Sequence, residues 1–311
     1  MLDISKVQMS RSALECAKGL HSSSNLLCFF IRGDTSMTSE RQHEYELGHS
    51  ERELKRLATQ ATLVDPMTRN YLRRAGLRAG MHVLDVGSGA GDVAFLAADV
   101  VGPTGLVIGS DRSAEALDAA RARAAQRGLE NVIFHQCDPA TFTFDVSFDA
   151  IVGRYVLMFS PDPVEMLRGV ARHLAPGGVI VFHEVDWTGA ASFPSVPTYD
   201  NCFRCIVETF RRVGTNPNMG LQLHSTFLKA GLPAPSMAVS ALAGGGSDSL
   251  SGIDLISDLA AIMAPVMEQM GVITASELGP ETLQDRIRAE VYASASVVVG
   301  RYEVGAWSRR M

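Results

Sequence analysis

VLDVGSGAGD, at residues 83–92, joins an apolar strand to a glycine-rich turn and then to the start of a helix. Gly87, Gly89 and Gly91 lack a Cβ, so the backbone there can adopt positive φ angles and approach a ligand closely. The following helix points its unpaired N–H groups and the positive end of its dipole back at the turn. The pattern therefore predicts a binding site for a carboxylate, phosphate or ribose of a ligand.

The spacing of the glycines argues against a dinucleotide site and so disfavours an oxidoreductase. They follow G-x-G-x-G, and Asp92 stands where the G-x-G-x-x-G pattern needs a glycine. Asp85, at the end of the strand, suits a cation or an ammonium group better than a pyrophosphate. Taken alone, the motif leaves a plain strand-to-helix turn as the alternative interpretation.

Length and composition bound the class of protein. The chain has 311 residues, 46% of them hydrophobic and 20% charged, as in ordinary globular proteins. Its net charge of −6 lacks the basic footprint of nucleic-acid binding, so we expect no nucleic-acid partner. Five cysteines do not indicate a disulfide scaffold in a chain of this length, and the longest early apolar run is too short for a membrane span. We therefore expect a cytoplasmic protein without membrane association.

Apolar strands and amphipathic helices alternate five times along the middle of the chain. This alternation predicts an α/β fold with a doubly wound parallel sheet, which binds ligands at the carboxyl ends of its strands. The predicted strands span 81–86, 105–110, 131–136, 148–153 and 179–184, and the helices between them span 92–101, 114–127 and 163–174.

Charged side chains stand at the ends of these strands. Asp111 follows the second strand, where a carboxylate can accept both ribose hydroxyls of an adenosine. Arg112 is placed to lie over an adenine face, and Asp138, after the third strand, is placed to accept the adenine amino group. Arg154 and Glu184 stand at the ends of the fourth and fifth strands. This agreement, more than any one motif, predicts a ligand site at that edge of the sheet.

Two segments precede the first strand. Residues 1–37 mix serine-rich and apolar patches without a sustained period, and we expect them to be poorly ordered. The alternative is an additional N-terminal helix that packs on a partner subunit, which would make the protein a homo-oligomer. Residues 38–76 have helical spacing and are predicted to form a helical cover over the ligand end of the sheet. Tyr45 and Arg69 are its candidate substrate-pocket residues.

The cover is predicted to contain a second helix over 66–75. Pro66 suits the first position of a helix, Asp65 suits its N-cap, and Gly76 suits its end.

The regular alternation of strands and helices ends after the fifth strand. The segments about 190–230 and 250–290 are predicted to be helical lids. Cys202 and Cys205 form a C-x-x-C, but zinc needs two more ligands at suitable spacing, so we expect no metal site. Further helices are predicted over 199–213, 220–230, 253–270 and 280–293, and further strands over 236–242 and 295–308, with a flexible loop at 244–246.

Taken together, several segments resemble class I S-adenosylmethionine-dependent methyltransferases, and among them the bacterial small-molecule, natural-product enzymes. The resemblance implies a Rossmann-like seven-stranded sheet of order 3-2-1-4-5-7-6, with strand 7 antiparallel. Residues 77–311 would form this domain, with 236–242 as strand 6 and 295–308 as strand 7. The matching segments are VLDVGSGAG (83–91), Asp111, Cys137-Asp138, FDAIVGRYVL (148–157) and LAPGG (174–178).

The same resemblance implies S-adenosyl-L-methionine as the cofactor. The glycine turn would approach its methionine part, Asp85 its ammonium group, Asp111 its ribose, and Arg112 and Asp138 its adenine. Gly153-Arg154-Tyr155-Val156 replaces the family's Asn-Pro-Pro-Tyr, which disfavours methylation of DNA bases or protein glutamine. The residues assigned to the cofactor are Asp85, Gly87, Ser88, Gly89, Gly91, Asp111, Arg112, Cys137, Asp138 and Arg154.

We therefore expect methyl transfer to a small-molecule acceptor by in-line displacement, in specialised metabolism, with the O, C or N acceptor atom left open. His183 and Tyr155 are the candidate catalytic residues, and His224 is a further candidate for the substrate pocket. For His183, a hydrogen-bonded core histidine is the alternative to a general base. Two other functions stay open: a non-methylating cyclisation or rearrangement on the same cofactor-binding fold, and a non-catalytic subunit.

Overall fold

Residues 60–310 are described by the computed structural model, so Tyr45, the segment 1–37 and most of the predicted cover lie outside the described residues. The described chain begins inside a helix, α1, that ends at residue 75. The predicted helix start at Asp65 and Pro66 is wrong, because both residues lie within α1. The Asp65 carboxylate accepts a hydrogen bond from Arg154 instead of capping a helix. Gly76 ends the helix as predicted, with a φ of 93°.

The other elements alternate much as the sequence predicts. The fifth strand is longer than predicted, since it begins at Leu174 and runs to Asp186. The elements are β1 (His82–Val86), α2 (Asp92–Val101), β2 (Leu106–Asp111), α3 (Ala114–Gln126), β3 (Val132–Gln136), β4 (Phe148–Arg154), α4 (Pro163–Ala171), β5 (Leu174–Asp186), β6 (Ala191–Phe193), α5 (Pro197–Arg212), α6 (Met219–Lys229), β7 (Ser236–Gly245), α7 (Leu250–Gln269), α8 (Ala275–Leu278), α9 (Leu283–Ser294) and β8 (Val297–Arg309).

One twisted sheet organises these elements. Its order is β3-β2-β1-β4-β5-β8, and β7 pairs with β8 on the outer side. β1 to β5 are parallel, whereas β8 runs antiparallel to both β5 and β7. The short β6 pairs antiparallel with the first residues of β8, on the same side of β8 as β5. The predicted order 3-2-1-4-5-7-6 with an antiparallel strand 7 is confirmed, since β7 and β8 are the predicted strands 6 and 7.

Side chains of the central strands alternate between two hydrophobic layers. Val83 and Val152 face α1, α2 and α3, whereas Leu84 and Ile151 face the layer that contains α4, α5, α6 and α7. All four valine, leucine and isoleucine side chains are fully buried. Their burial on both faces explains why the strands are continuously apolar rather than alternating with polar residues.

Both segments predicted to be lids contain helices, but these helices pack in different layers of the protein. α6 packs directly on β5 and β8, whereas α5, α7 and α9 pack mainly on one another outside that layer. The segment Gly246–Gln269 is long and apolar enough to cross a membrane, yet half of it is buried within the protein, as in a core helix. The predicted loop at 244–246 is partly wrong, because Gly244 and Gly245 pair with β8.

Candidate cofactor and active site

The glycine turn connects β1 to α2 at the carboxyl edge of the sheet. Gly87, Gly89 and Gly91 all have positive φ angles, of 65°, 50° and 91°. A Cβ on Gly87 would lie 2.6 Å from the Val156 side chain, and one on Gly91 would lie 2.9 Å from Phe95. At Gly89, by contrast, no described atom lies within 4 Å of that position. Packing therefore demands the first and third glycines, whereas the second borders open space that a ligand can enter.

Asp85 and Ser88 carry buried polar atoms beside this turn. Their residues are only 1% and 7% exposed. Among the described residues, neither carboxylate oxygen of Asp85 nor the hydroxyl of Ser88 has a hydrogen-bond partner. Burial raises the pKa of Asp85 well above its usual range, although the positive charge of Arg154 opposes this shift. Buried polar atoms are normally paired, so these three are placed to accept donors from a ligand.

Asp111 ends β2 with its carboxylate already oriented. Its Oδ2 accepts a hydrogen bond from the Gly89 amide at 2.9 Å, and its Oδ1 accepts one from the Ser113 amide, also at 2.9 Å. Each oxygen keeps a further lone pair. The side chain is thus fixed beside the glycine turn and still able to accept ligand hydroxyls.

Arg112 and Asp138 link the tips of β2 and β3. The Arg112 guanidinium and the Asp138 carboxylate form an ion pair at 2.5 Å, and both side chains remain partly exposed. Cys137 lies next to Asp138, and burial raises the pKa of its thiol to about 12, so it stays protonated at neutral pH. The structure therefore brings together the two residues, Arg112 and Asp138, that the sequence places around an adenine.

The Arg154 side chain points away from this group towards α1. It is only 5% exposed. Its Nη1 donates hydrogen bonds to Asp65 Oδ1 at 2.8 Å and to Thr68 Oγ1 at 3.0 Å. Its Nη2 lies 3.9 Å from Asp92 Oδ2, at the start of α2. The guanidinium thus joins α1 to the end of β4, and a contact of Arg154 with the cofactor stays a prediction.

A buried polar cluster lies next to it, made of Thr68, Tyr155, His183, Arg301 and Glu303. Glu303 Oε2 accepts hydrogen bonds from Tyr155 Oη at 2.6 Å and from His183 Nε2 at 2.9 Å. Glu303 Oε1 accepts from Arg301 Nε at 3.0 Å. The remaining ring nitrogen of His183, Nδ1, lies 3.0 Å from Thr68 Oγ1.

The charges in this cluster follow from its contacts. Burial alone would raise the pKa of Glu303, but the charge of Arg301 and the hydrogen bond from His183 outweigh it and lower the pKa to about 2. Burial lowers the pKa of His183 against the opposing effect of Glu303. His183 is therefore neutral at pH 7, with its hydrogen on Nε2, because an ionised carboxylate only accepts. Nδ1 then accepts from the Thr68 hydroxyl, so both ring nitrogens are engaged.

The other predicted pocket residues lie elsewhere. Arg69 forms an ion pair with Asp99 at 2.9 Å on the surface between α1 and α2. His224 is exposed on α6. The structure does not bring either side chain to the polar cluster or to the glycine turn.

The sequence analysis missed Thr68, Arg301 and Glu303. A signal for two of them was present, because Arg301 and Glu303 stand two residues apart in an otherwise apolar strand and so share one face. Within residues 60–310, no group of three or more His, Cys, Asp or Glu side chains is arranged to hold a metal ion. Cys202 and Cys205 are buried free thiols on α5.

The doubly wound sheet, with the glycine turn and the acidic strand tips at its carboxyl edge, defines a Rossmann-like class of fold. Residues 77–219, just under half of the chain, match the family model described as a methyltransferase domain.

Two of the similar curated proteins each match less than half of this chain. Demethylmenaquinone methyltransferase of Lactococcus lactis is 34% identical over 133 residues, which are 42% of this chain and 50% of that protein. Aklanonic acid methyltransferase of Streptomyces sp. strain C5 is 37% identical over 133 residues, which are 42% of this chain and 60% of that protein. The chain thus spans about half the length of the curated relatives that it matches.

A solved structure shows likeness of fold alone. Phosphoethanolamine N-methyltransferase 2 of Haemonchus contortus, solved with phosphomonomethylethanolamine and S-adenosylhomocysteine, superposes with a TM-score of 0.50 at 17% identity. The superposition covers 79% of this chain and 53% of that one.

Proposed function

We propose that this protein binds S-adenosyl-L-methionine and transfers its methyl group to a small-molecule acceptor. The observation that carries the proposal is the pair of unpartnered carboxylate oxygens of Asp85, buried at the glycine turn of a methyltransferase domain. An ammonium group is a donor of opposite charge, so it would satisfy both oxygens and remove the cost of the buried charge.

The ribose, the adenine and the rest of the methionine part of the cofactor would each meet residues of matching chemistry. Asp111, fixed by two backbone amides, would accept the ribose hydroxyls. Arg112 would lie along the adenine ring, and Asp138 would accept its amino group. The open space at Gly89 and the hydroxyl of Ser88 would receive the methionine part. These roles fit the residues that the sequence assigns to the cofactor, and they remain proposals.

Bound S-adenosylmethionine supplies a methyl group on a sulfonium, which is ready for in-line displacement. The contribution of the protein is to position the acceptor and to exclude water. The Arg301 guanidinium lies 5.4 Å from the Tyr155 ring and 5.1 Å from the Trp187 ring, so it is held between two aromatic side chains.

His183 has a different role in this proposal from that of a general base. Both of its ring nitrogens are hydrogen-bonded to protein groups, so neither is available to an acceptor proton. We propose that His183 fixes Glu303, and through it the Tyr155 hydroxyl. The acceptor atom, whether O, C or N, is not assigned.

The relatives suggest the acceptor class to test. Their names give demethylmenaquinone and aklanonic acid as substrates, which are both conjugated ring systems. We propose an acceptor of this kind from specialised metabolism. A cytoplasmic location and a homo-oligomer formed through the N-terminal helices remain predictions.

Isothermal calorimetry with S-adenosylhomocysteine tests the cofactor, and we expect one binding event per chain. Absence of binding would overturn the proposal. Incubation with methyl-labelled S-adenosylmethionine and a panel of hydroxylated quinones and polycyclic phenols tests the reaction by mass spectrometry. A product that gains one methyl group supports transfer. A rearranged product without the label, with the cofactor unconsumed, supports the alternative reaction instead.

A further inference from the structure

Glu184 lies on β5 with its side chain on the face opposite His183. It is fully buried. Its Oε1 accepts hydrogen bonds from the amides of Val156 at 2.9 Å and Leu157 at 2.8 Å, and its Oε2 accepts from the amide of Met158 at 3.4 Å. One carboxylate from a neighbouring strand thus binds three successive amides of the turn that follows β4.

This turn cannot satisfy those amides by itself. Residues 157–159 form one turn of 3-10 helix, whose first amides have no partner within the turn. Val156 stands at its N-cap and has no side-chain oxygen to offer. Tyr155 just before it has a φ of 56°, which is a strained backbone conformation for a tyrosine. The Glu184 carboxylate, on a neighbouring strand, therefore caps the 3-10 turn in place of a local side chain.

The turn at residues 156–158 packs against the glycine turn. The Cγ2 atom of Val156 lies 2.6 Å from the position that a Cβ on Gly87 would occupy, so the Val156 side chain packs directly on the Gly87 backbone. The Val156 side chain is held there by its own amide, which Glu184 binds. A shift of the turn would therefore move the surface against which the methionine part of a cofactor lies.

We propose that Glu184 is a positioning residue for the cofactor site, which it shapes by holding the turn at residues 156–158 against Gly87. The inference rests on the proposed function, because it concerns the affinity for S-adenosylmethionine and its demethylated product. Glu184 does not touch the cofactor itself, and acts through Val156.

Asp186 provides a matched control on the same strand. It is also fully buried and, two residues further on, lies on the same face of β5. Its carboxylate binds different groups, namely the Leu221 amide in α6 at 3.2 Å and the Thr188 amide at 3.0 Å. Removal of the Asp186 charge disturbs a buried hydrogen-bonded carboxylate of similar kind, but it leaves the hydrogen bonds to the turn at 156–158 in place.

The experiment compares three variants by calorimetry with S-adenosylhomocysteine. Glu184→Met removes every acceptor, and we expect about 30-fold weaker binding. Glu184→Gln keeps one oxygen, which can still accept from Val156 and Leu157, so it should restore most of the affinity, to within about 3-fold of the wild type. Asp186→Asn should bind as the wild type does, within about 2-fold.

Hydrogen exchange gives a second readout on the same proteins. The amides of Val156, Leu157 and Met158 should lose protection in Glu184→Met and keep it in Asp186→Asn. If Glu184→Met does not fold, hydrogen exchange in Glu184→Gln decides: its amide nitrogen cannot accept from Met158, so the Met158 amide should lose protection in Glu184→Gln and keep it in Asp186→Asn, and equal protection in both overturns the inference. Wild-type affinity in both Glu184 variants, or an equal loss in Asp186→Asn, would also overturn it. A wild-type protein that does not bind S-adenosylhomocysteine would instead overturn the proposed function.

Discussion

Tyr155 and His183 donate their hydrogen bonds to one and the same atom, Oε2 of Glu303, at 2.6 and 2.9 Å. The two residues that the sequence marks as catalytic therefore share a buried carboxylate that the sequence did not mark. Arg301 binds the other oxygen of that carboxylate and balances its charge. A buried charge that is paired and hydrogen-bonded at both oxygens is tolerated, but it becomes costly when one partner is removed.

Glu303→Gln should destabilise the protein, because it leaves the buried Arg301 without a counter-charge. Breaking such a pair costs about 3–5 kcal/mol, and we expect a loss of about 3 kcal/mol in the free energy of unfolding. Urea denaturation at neutral pH measures it. The control combines Arg301→Met with Glu303→Gln and should regain at least half of the loss, since no charge is then left unpaired and the glutamine oxygen still accepts from Tyr155 and His183. A double variant as unstable as Glu303→Gln would contradict this account.

Asp85→Asn should make the ligand-free protein more stable and the cofactor site weaker. The raised pKa of Asp85 means that its buried charge opposes folding at neutral pH. Its contribution to stability is complete below the pKa of the unfolded chain and is lost as the pH rises through the raised value. We expect a gain of about 1 kcal/mol at neutral pH and about 10-fold weaker binding of S-adenosylhomocysteine. Differential scanning calorimetry and titration calorimetry measure the two effects, and a variant that loses stability would contradict the account.

Gly89→Ala should weaken cofactor binding beyond any effect on stability. The new methyl group would project into open space at the turn, and a φ of 50° strains an alanine by about 1 kcal/mol. Gly128→Ala is the control, because Gly128 has a similar φ of 64° and similar open space, but lies after α3. We expect both variants to lose similar stability in urea. Only Gly89→Ala should bind S-adenosylhomocysteine more weakly, and equal affinities would rule out close approach of a ligand at Gly89.

Glu184 should give the folded protein a pH dependence of its own. Burial raises the pKa of this carboxyl to about 7 from 4.5, against the hydrogen bonds from the amides of Leu157 and Val156. Because the folded state binds the proton more tightly, the contribution of Glu184 to stability is lost as the pH rises towards about 7. Relative to Glu184→Gln, the free energy of unfolding of the wild type should fall between about pH 5 and about pH 8. A difference between the two proteins that is constant over this range would contradict the raised pKa.

The strands and the glycine turn were predictable because each depends on local sequence. β1 is a short apolar run that ends in glycines, whereas the places of β7 and β8 in the sheet followed from the resemblance to a known family. The start of a helix at Pro66 was wrong for a tertiary reason. The preceding Asp65, which would have capped it, binds Arg154 instead, so the helix continues through the proline.

The environment of His183 was beyond local sequence. Its partners Thr68 and Glu303 lie 115 and 120 residues away along the chain, on α1 and on β8. The strand pattern placed His183 near the ligand edge but could not show that both ring nitrogens are bound. Arg69 and His224 lie away from the polar cluster, and their pocket roles stay predictions, because a helical pattern alone does not say which face of the helix meets the sheet.

The last strand in chain order, β8, lies in the interior of the sheet, and this order has a consequence during synthesis. Tyr71 on α1 donates a hydrogen bond to the Glu303 carbonyl, 232 residues later. At roughly 5–20 residues per second, a ribosome takes roughly 10–50 s to deliver that partner. For the last 120 of these residues, from His183 onward, the long edge of β5 lacks its second neighbour and the His183 ring lacks its carboxylate. We therefore expect a nascent chain arrested before residue 297 to be prone to aggregation, although its glycine turn is already complete.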